Sequence, residues 1–282
     1  MNVLLEAFGP AFMQRALLAA LLAVVATSVV GSWVVVRGLT FLGDALAHGV
    51  VPGIALAVLL GFNPILGAFL AALIMSGLVG VVSTRTSVRE DTSIGLLFVG
   101  MLSLGIIIVS RARSFATEVT AMLFGDPLGV TANDLVIQAI ATTVVVVVTV
   151  VLYRPFLALT FNRDKALTLG MRPGFAQAAM LGLLTISIVS SFQAIGTLLV
   201  FGLLVGPPAT ASLLVSRLPS MMLVAAVLGA LAVIVGLEVS FHYGTAGGAS
   251  IAFACIAEFF VVFAANELRS HLRARTATTE GL

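Results

Sequence analysis

The 282 residues are 60% hydrophobic and 9% charged, against roughly 25% charged in a soluble domain. With a mean hydropathy of +1.20, a water-soluble globular fold is excluded and an all-α polytopic membrane protein is expected, one transmembrane domain over 1–282. Cys255 stands alone, which excludes an intrachain disulfide; the one lysine, Lys165, follows no glycine-rich loop, so the chain has no phosphate-cradling P-loop of its own.

At about 20 apolar residues per crossing, nine spans are expected near 12–36, 44–61, 64–83, 93–110, 134–153, 174–192, 194–216, 220–240 and 247–266. The first apolar run has no basic region before it and no small-residue cleavage site after it, so a retained helix is expected there. Turn signals such as Gly61-Phe62-Asn63-Pro64, Leu218-Pro219-Ser220 and Gly244-Thr245-Ala246-Gly247-Gly248 separate neighbours. The second and seventh spans contain Pro52 and Pro207-Pro208, which leaves eight crossings as the alternative count.

The Lys/Arg bias sets the orientation. With nine spans and the N-terminus outside, Arg37, Arg85, Arg89, Arg154, Arg163, Lys165, Arg172, Arg217, Arg269, Arg273 and Arg275 face the cytoplasm. Only Arg15, Arg111 and Arg113 lie outside, and the C-terminal basic tail, 267–282, lies inside.

In the second span, Asp44 and His48 stand four residues apart. On a helix they share one face and can bind one ligand. A carboxylate with an imidazole suits Mn²⁺, Fe²⁺ or Zn²⁺, and ionisable groups in a membrane segment mark a transport path by default. The structural alternative is an N-capping Asp44 with His48 bonded to a backbone carbonyl.

The loop from Tyr153 to Pro173 holds a short helix at about 162–171. Asn162 is suited to cap it, Asp164 to its positive end, and Gly170 to stop it. Either a partner holds this helix or it lies solvated at the membrane surface. In the eighth span Glu238 and His242 repeat the acid–imidazole spacing near the outer mouth, as a transient capture site for an incoming cation or as part of an interfacial polar belt with Tyr243. Arg89-Glu90-Asp91 places two acids at the start of the fourth span, favouring its dipole or contacting a cytoplasmic partner. Gly202 and Gly206 form a GxxxG ahead of Pro207-Pro208, where a bend or break is expected beside the path. Glu258 lies mid-span in the last helix and must be neutral or paired there.

Several stretches, taken in order, resemble the metal-type ABC transporter permeases, the bacterial zinc, manganese and iron importers. Gly43-Asp44-Ala45-Leu46-Ala47-His48-Gly49-Val50-Val51-Pro52-Gly53-Ile54-Ala55 is similar to their G-D-[AS]-[LI]-[SA]-H-[AG]-V-[LV]-P-G-[VI]-A motif. Arg89-Glu90-Asp91-Thr92-Ser93-Ile94-Gly95 is similar to R-E-D-[TA]-x-I-G, and Ile195-Gly196-Thr197-Leu198-Leu199-Val200 with Pro207-Pro208-Ala209-Thr210-Ala211 to V-G-x-L-L-V…P-A-A-T-A. The resemblance implies an importer-type permease in the bacterial cytoplasmic membrane, working as a homodimer with alternating access. It implies a cytoplasmic ABC ATPase dimer and an extracytoplasmic metal-binding protein as partners, besides the bilayer, and no nucleic acid. No permanently bound cofactor is expected; the divalent metal ion is cargo, and ATP hydrolysis belongs to the ATPase. The short loop helix becomes the ATPase-coupling element, with Asn162, Asp164, Lys165, Ala166 and Gly170; Ala166 and Gly170 keep the family's A-x-x-x-G spacing, and Asn162 stands where Asp is usual. Gly244 stands where relatives often carry an acid, which weakens a metal contact at that helix end. The rival readings are a permease for a metal chelate or small organic solute, and a stand-alone secondary transporter.

Overall fold

The computed structural model describes residues 9–85, 90–110, 129–161, 167 and 172–279. Its regular elements are helices: α1 Ala11–Val36, α2 Thr40–Gly49, α3 Val51–Leu60, α4 Pro64–Arg85, α5 Glu90–Ser110, α6 Ala132–Val151, α7 Tyr153–Phe161, α8 Pro173–Ile195, α9 Thr197–Leu214, α10 Leu218–Tyr243 and α11 Gly247–Thr279. Among the described residues eight apolar stretches are long enough to cross a bilayer, taking α2 and α3 together, and α9 supplies a shorter ninth. Each expected span coincides with one of them.

α1 is the hub. About two thirds of its apolar stretch is buried, against 17% for α5 and α11, and it packs on α6, α8, α9 and α10. The exposed side chains of the outer helices are apolar (Leu96, Ile107, Phe253, Val261), as required where lipid replaces water. Close approach is made by small residues. Gly53 of α3 and Gly67 of α4 each point at the other's carbonyl, so a Cβ at either would collide with backbone. Polar side chains bridge helices between these contacts: Ser76 Oγ to Thr185 Oγ1 at 3.0 Å, Gln138 Nε2 to Ser191 Oγ at 3.0 Å, and Thr142 Oγ1 to the Leu22 carbonyl at 3.1 Å. In a membrane each such bond contributes about 0.6 kcal/mol.

The prolines act differently from expectation. Pro52 sits in the first turn of α3, where no backbone donor is needed, and Val50 keeps helical angles between α2 and α3, so Thr40–Leu60 is one nearly continuous span. Pro207 and Pro208 lie inside an unbroken α9. They deprive the Leu203 and Leu204 carbonyls of their helical partners. The Leu204 carbonyl is packed directly against Gly31 of α1, where a Cβ would strike it. The missing side chain therefore lets α1 close over the lesion. The break between the sixth and seventh spans comes at Gly196 instead, with φ 77° and ψ 162°, a conformation essentially reserved for glycine.

At the other turns the sequence signals are realised. Gly61 is left-handed at the end of α3, Phe62 N–H bonds to the Ala57 carbonyl at 2.9 Å, and Asn63 Oδ1 caps α4 by accepting from Ile65 N–H at 2.8 Å. The chain also forms α7, an element absent from the expected list. Its Tyr153 and Phe156 pack edge-on against Trp33 at 5.5 and 5.6 Å between centroids, contacts of about 0.5–1.5 kcal/mol each. The expected loop helix follows α7, and Asn162, Asp164, Lys165, Ala166 and Gly170 lie outside the described residues, as does Arg89.

Candidate functional site

The site starts with the back of α2. Leu42, Gly43, Ala45, Leu46, Ala47 and Gly49 are buried. Gly43 faces the Leu204 side chain of α9, and Gly49 faces the Met75 sulfur of α4; a Cβ at either would overlap it. Seating the helix on those two neighbours turns the remaining stripe outward, and that stripe carries Phe41, Asp44 and His48, at i, i+3 and i+7.

His48 Nε2 lies 3.5 Å from Asp44 Oδ1, with 33% and 29% of the two side chains accessible. That is ion-pair reach but long for a hydrogen bond, so the facing lone pairs are not committed to each other. The imidazole stands edge-on to Phe98 of α5 at 6.0 Å, and Phe98 stands edge-on to Phe41 at 5.6 Å. The pair thus occupies a recess with an aromatic wall. Phe41 and Phe98 were absent from the sequence-level site; Phe98 belongs to it only because α2 packs on α5, which no local pattern announces.

The structural alternative for this pair fails on both counts. α2 begins at Thr40 with Leu39 as its N-cap, so Asp44 is a helix residue and not a cap. His48 makes no hydrogen bond to a backbone carbonyl among the described residues. Chemically the pair offers one oxygen and one nitrogen. Among the described residues no third His, Cys, Asp or Glu joins any such group, so one copy presents half of a four-ligand set.

The second pair is built differently. Glu238 is 9% exposed, and its Oε1 is buried with no hydrogen-bond partner among the described residues. Its Oε2 lies 3.4 Å from His242 Nδ1, but the same nitrogen is 3.0 Å from the Glu238 backbone carbonyl. A neutral ring donating from Nδ1 to that carbonyl keeps only Nε2 as a free acceptor. Nearby, Ser240 Oγ donates to the Thr245 carbonyl at 2.6 Å and Thr245 Oγ1 lies 2.7 Å from Ser250 Oγ. Tyr243 is exposed beside them, and Gly244 ends α10 in the left-handed region.

In α11, Glu258 Oε2 is buried without a partner among the described residues. The helix–helix hydrogen bond expected for it is not made within this chain by that oxygen. The GxxxG glycines are explained by packing: Gly202 rests on Ala252 and Gly206 on Cys255, fixing α9 against α11.

The eight apolar helices of membrane-spanning length define an all-α multi-pass membrane protein. The chain belongs to the ABC 3 transport family, whose sequence profile matches residues 10–266. It is 32% identical over 252 residues to the manganese transport system membrane protein MntC of Listeria innocua, covering 89% of this chain and 90% of that one. It is 31% identical over 261 residues to the chelated iron transport system membrane protein YfeD of Yersinia pestis, covering 93% and 87%. Among solved structures, PsaBC from Streptococcus pneumoniae in complex with Fab matches with a TM-score of 0.81 at 29% identity, covering 93% of this chain and 94% of that one.

Proposed function

We propose that this chain is the membrane-spanning subunit of an ATP-driven importer for a divalent transition-metal ion, acting as a homodimer in the bacterial cytoplasmic membrane. The observation that carries it is the outward stripe of α2: an accessible Asp44 and His48, neither capping nor bonded to backbone, held out by a packed opposite face. Two copies about a two-fold axis bring two carboxylates and two imidazoles to one path. That mixed set accepts Mn²⁺, Fe²⁺ or Zn²⁺, in keeping with relatives named for manganese and iron.

Asp44 and His48 give the cargo a stop where it exchanges water for protein ligands. Two carboxylates balance the charge of a divalent ion, and two imidazole nitrogens complete a mixed oxygen–nitrogen set. Glu238 and His242 sit near the outer mouth as a weak capture site: the unpartnered Glu238 oxygen supplies charge, and the imidazole only one free nitrogen. A separate ATPase dimer seats the loop carrying Asn162, Asp164, Lys165, Ala166 and Gly170, and its closure moves the helices between outward- and inward-open states. With the N-terminus outside and C-terminus inside, the positive loops meet that ATPase, and an extracytoplasmic binding protein delivers the metal. The metal-chelate reading has one point in its favour, the relative named for chelated iron.

The test is uptake by proteoliposomes holding permease, ATPase and binding protein. Asp44→Ala or His48→Ala is expected to lower uptake of the free ion by about a hundredfold or more, beyond the 10–100-fold typical of outer-shell changes. Ala166→Arg or Gly170→Trp is expected to abolish transport-stimulated ATP turnover with the α2 pair intact. Wild-type uptake by folded Asp44→Ala and His48→Ala variants contradicts the proposal, and uptake of chelate in preference to the ion selects the rival cargo.

A further inference from the structure

α4 and α8 pack on each other, with Ser76 facing Thr185 and Gly80 facing Leu181. Residue numbers rise on one helix as they fall on the other, so the two run antiparallel, and the end of α4 lies beside the start of α8. Beside the Ser76–Thr185 bond the two helices leave a groove of about 380 Å³. One wall is the i+4 row Leu73, Gly77, Val81 and the other the i+4 row Gly174, Ala178, Gly182. Each wall spans about 12 Å at 1.5 Å per residue, most of the ~15 Å of one leaflet's hydrocarbon.

The glycines here differ from those that join helices elsewhere. A Cβ at Gly53, Gly67 or Gly236 strikes a neighbouring backbone, whereas at Gly77, Gly174 and Gly182 it meets nothing within 4 Å. Gly77 and Gly182 lower the stability of their helices without returning a helix contact. What they leave is a mostly apolar slot open to the side, with Leu73 and Val81 exposed along it and Ser76 and Gln177 as its polar lining.

The slot has a charged end. Arg85 continues the row Leu73, Gly77, Val81 by one more turn, and Arg172 is the N-cap residue two positions before Gly174. Both side chains are exposed, and among the described residues neither makes an ion pair or hydrogen bond. Two exposed arginines just past Val81 and Gly174 on the two walls, with a mostly apolar slot between those walls, match one ligand shape, an anionic head on a hydrocarbon chain.

We propose that the α4–α8 groove binds an anionic phospholipid of the adjacent leaflet, one acyl chain along the glycine walls and the phosphate between Arg85 and Arg172. The inference rests on the permease reading only for placing the chain in a bilayer; the cargo does not enter. Such a lipid fills the gap between two core helices and ties the Arg85 and Arg172 loops to the membrane surface.

The experiment uses the full-length permease reconstituted in nanodiscs of equal phosphatidylglycerol and phosphatidylcholine, released into mild detergent, with retained lipids counted by native mass spectrometry. Wild type is expected to keep phosphatidylglycerol over phosphatidylcholine by about tenfold or more, the scale of two basic contacts near a membrane surface. Arg85→Gln with Arg172→Gln, both exposed and remote from the packed core, is expected to bring the ratio close to one. Gly182→Leu, or Gly77→Leu from the other wall, fills the slot and lowers retention of both lipids. Equal retention of the two lipids by wild type overturns the proposal, as does undiminished selectivity in the double variant. Conversion of dimer to monomer by Gly182→Leu with the lipid count unchanged overturns it in favour of a second copy in the groove. Metal transport is not read, so failure here leaves the permease reading standing.

Discussion

Asp44 with His48 and Glu238 with His242 share the same acid–imidazole spacing, yet the fold treats them in opposite ways. On α2 both side chains are partly accessible, 3.5 Å apart, and uncommitted to backbone. On α10 the acid is buried and the imidazole leans on the carbonyl of its own turn at 3.0 Å. The difference comes from the neighbours. Leu204 and Met75 press on Gly43 and Gly49 and leave the opposite face of α2 open, whereas Gly236 brings α10 onto Ile251 of α11 and Glu238 is covered. Spacing nominates a ligand pair, and packing decides whether the pair is free to bind.

The widest separation is expected between His48→Ala and His242→Ala, compared in the same uptake assay. On the proposed function the first removes a metal ligand and is expected to lower uptake by about a hundredfold or more. The second leaves the α2 pair intact and is expected to slow uptake by about threefold, at limiting metal only, since on the proposed function this pair serves capture, which changes the on-rate and not the chemistry. Equal loss in both variants would erase the distinction drawn from the geometry.

The smallest effect is expected for Glu258→Gln. Its buried oxygen has no partner within the described chain, and the amide keeps the shape of the carboxylic acid without a charge to desolvate. Uptake and dimer content are expected to match wild type within about twofold, because a group that only bridges subunits needs no ionisation. Severely reduced uptake from a folded, abundant Glu258→Gln protein would add a third carboxylate to the path.

Much of the architecture was legible because the bilayer fixes segment length, and polar turns such as Gly61-Phe62-Asn63-Pro64 punctuate the apolar runs. Of the bend or break expected at Pro207-Pro208, the break is not made, for a physical reason. Pro207 and Pro208 break a helix only where the freed carbonyls and the ring have no accommodation, and Gly31, far away in sequence, accommodates the Leu204 carbonyl. α7 was missed because its stability comes from Trp33, a tertiary contact with no local trace. For the site, the i, i+4 rule identified Asp44 and His48 and their shared face. It could not say that this face is the open one, nor that Phe98 walls it, because both depend on which helices pack on α2.

The central claim is that two α2 faces share one metal ion, and metal stoichiometry with ligand identity tests it most directly. Purified dimeric permease is titrated with Mn²⁺, and the bound ion is examined by pulsed electron paramagnetic resonance for nitrogen coupling. The account predicts one tightly held Mn²⁺ per two chains, with imidazole nitrogen coupling that disappears in His48→Ala and persists in His242→Ala. Mn²⁺ held with unchanged stoichiometry and nitrogen coupling in His48→Ala would contradict it.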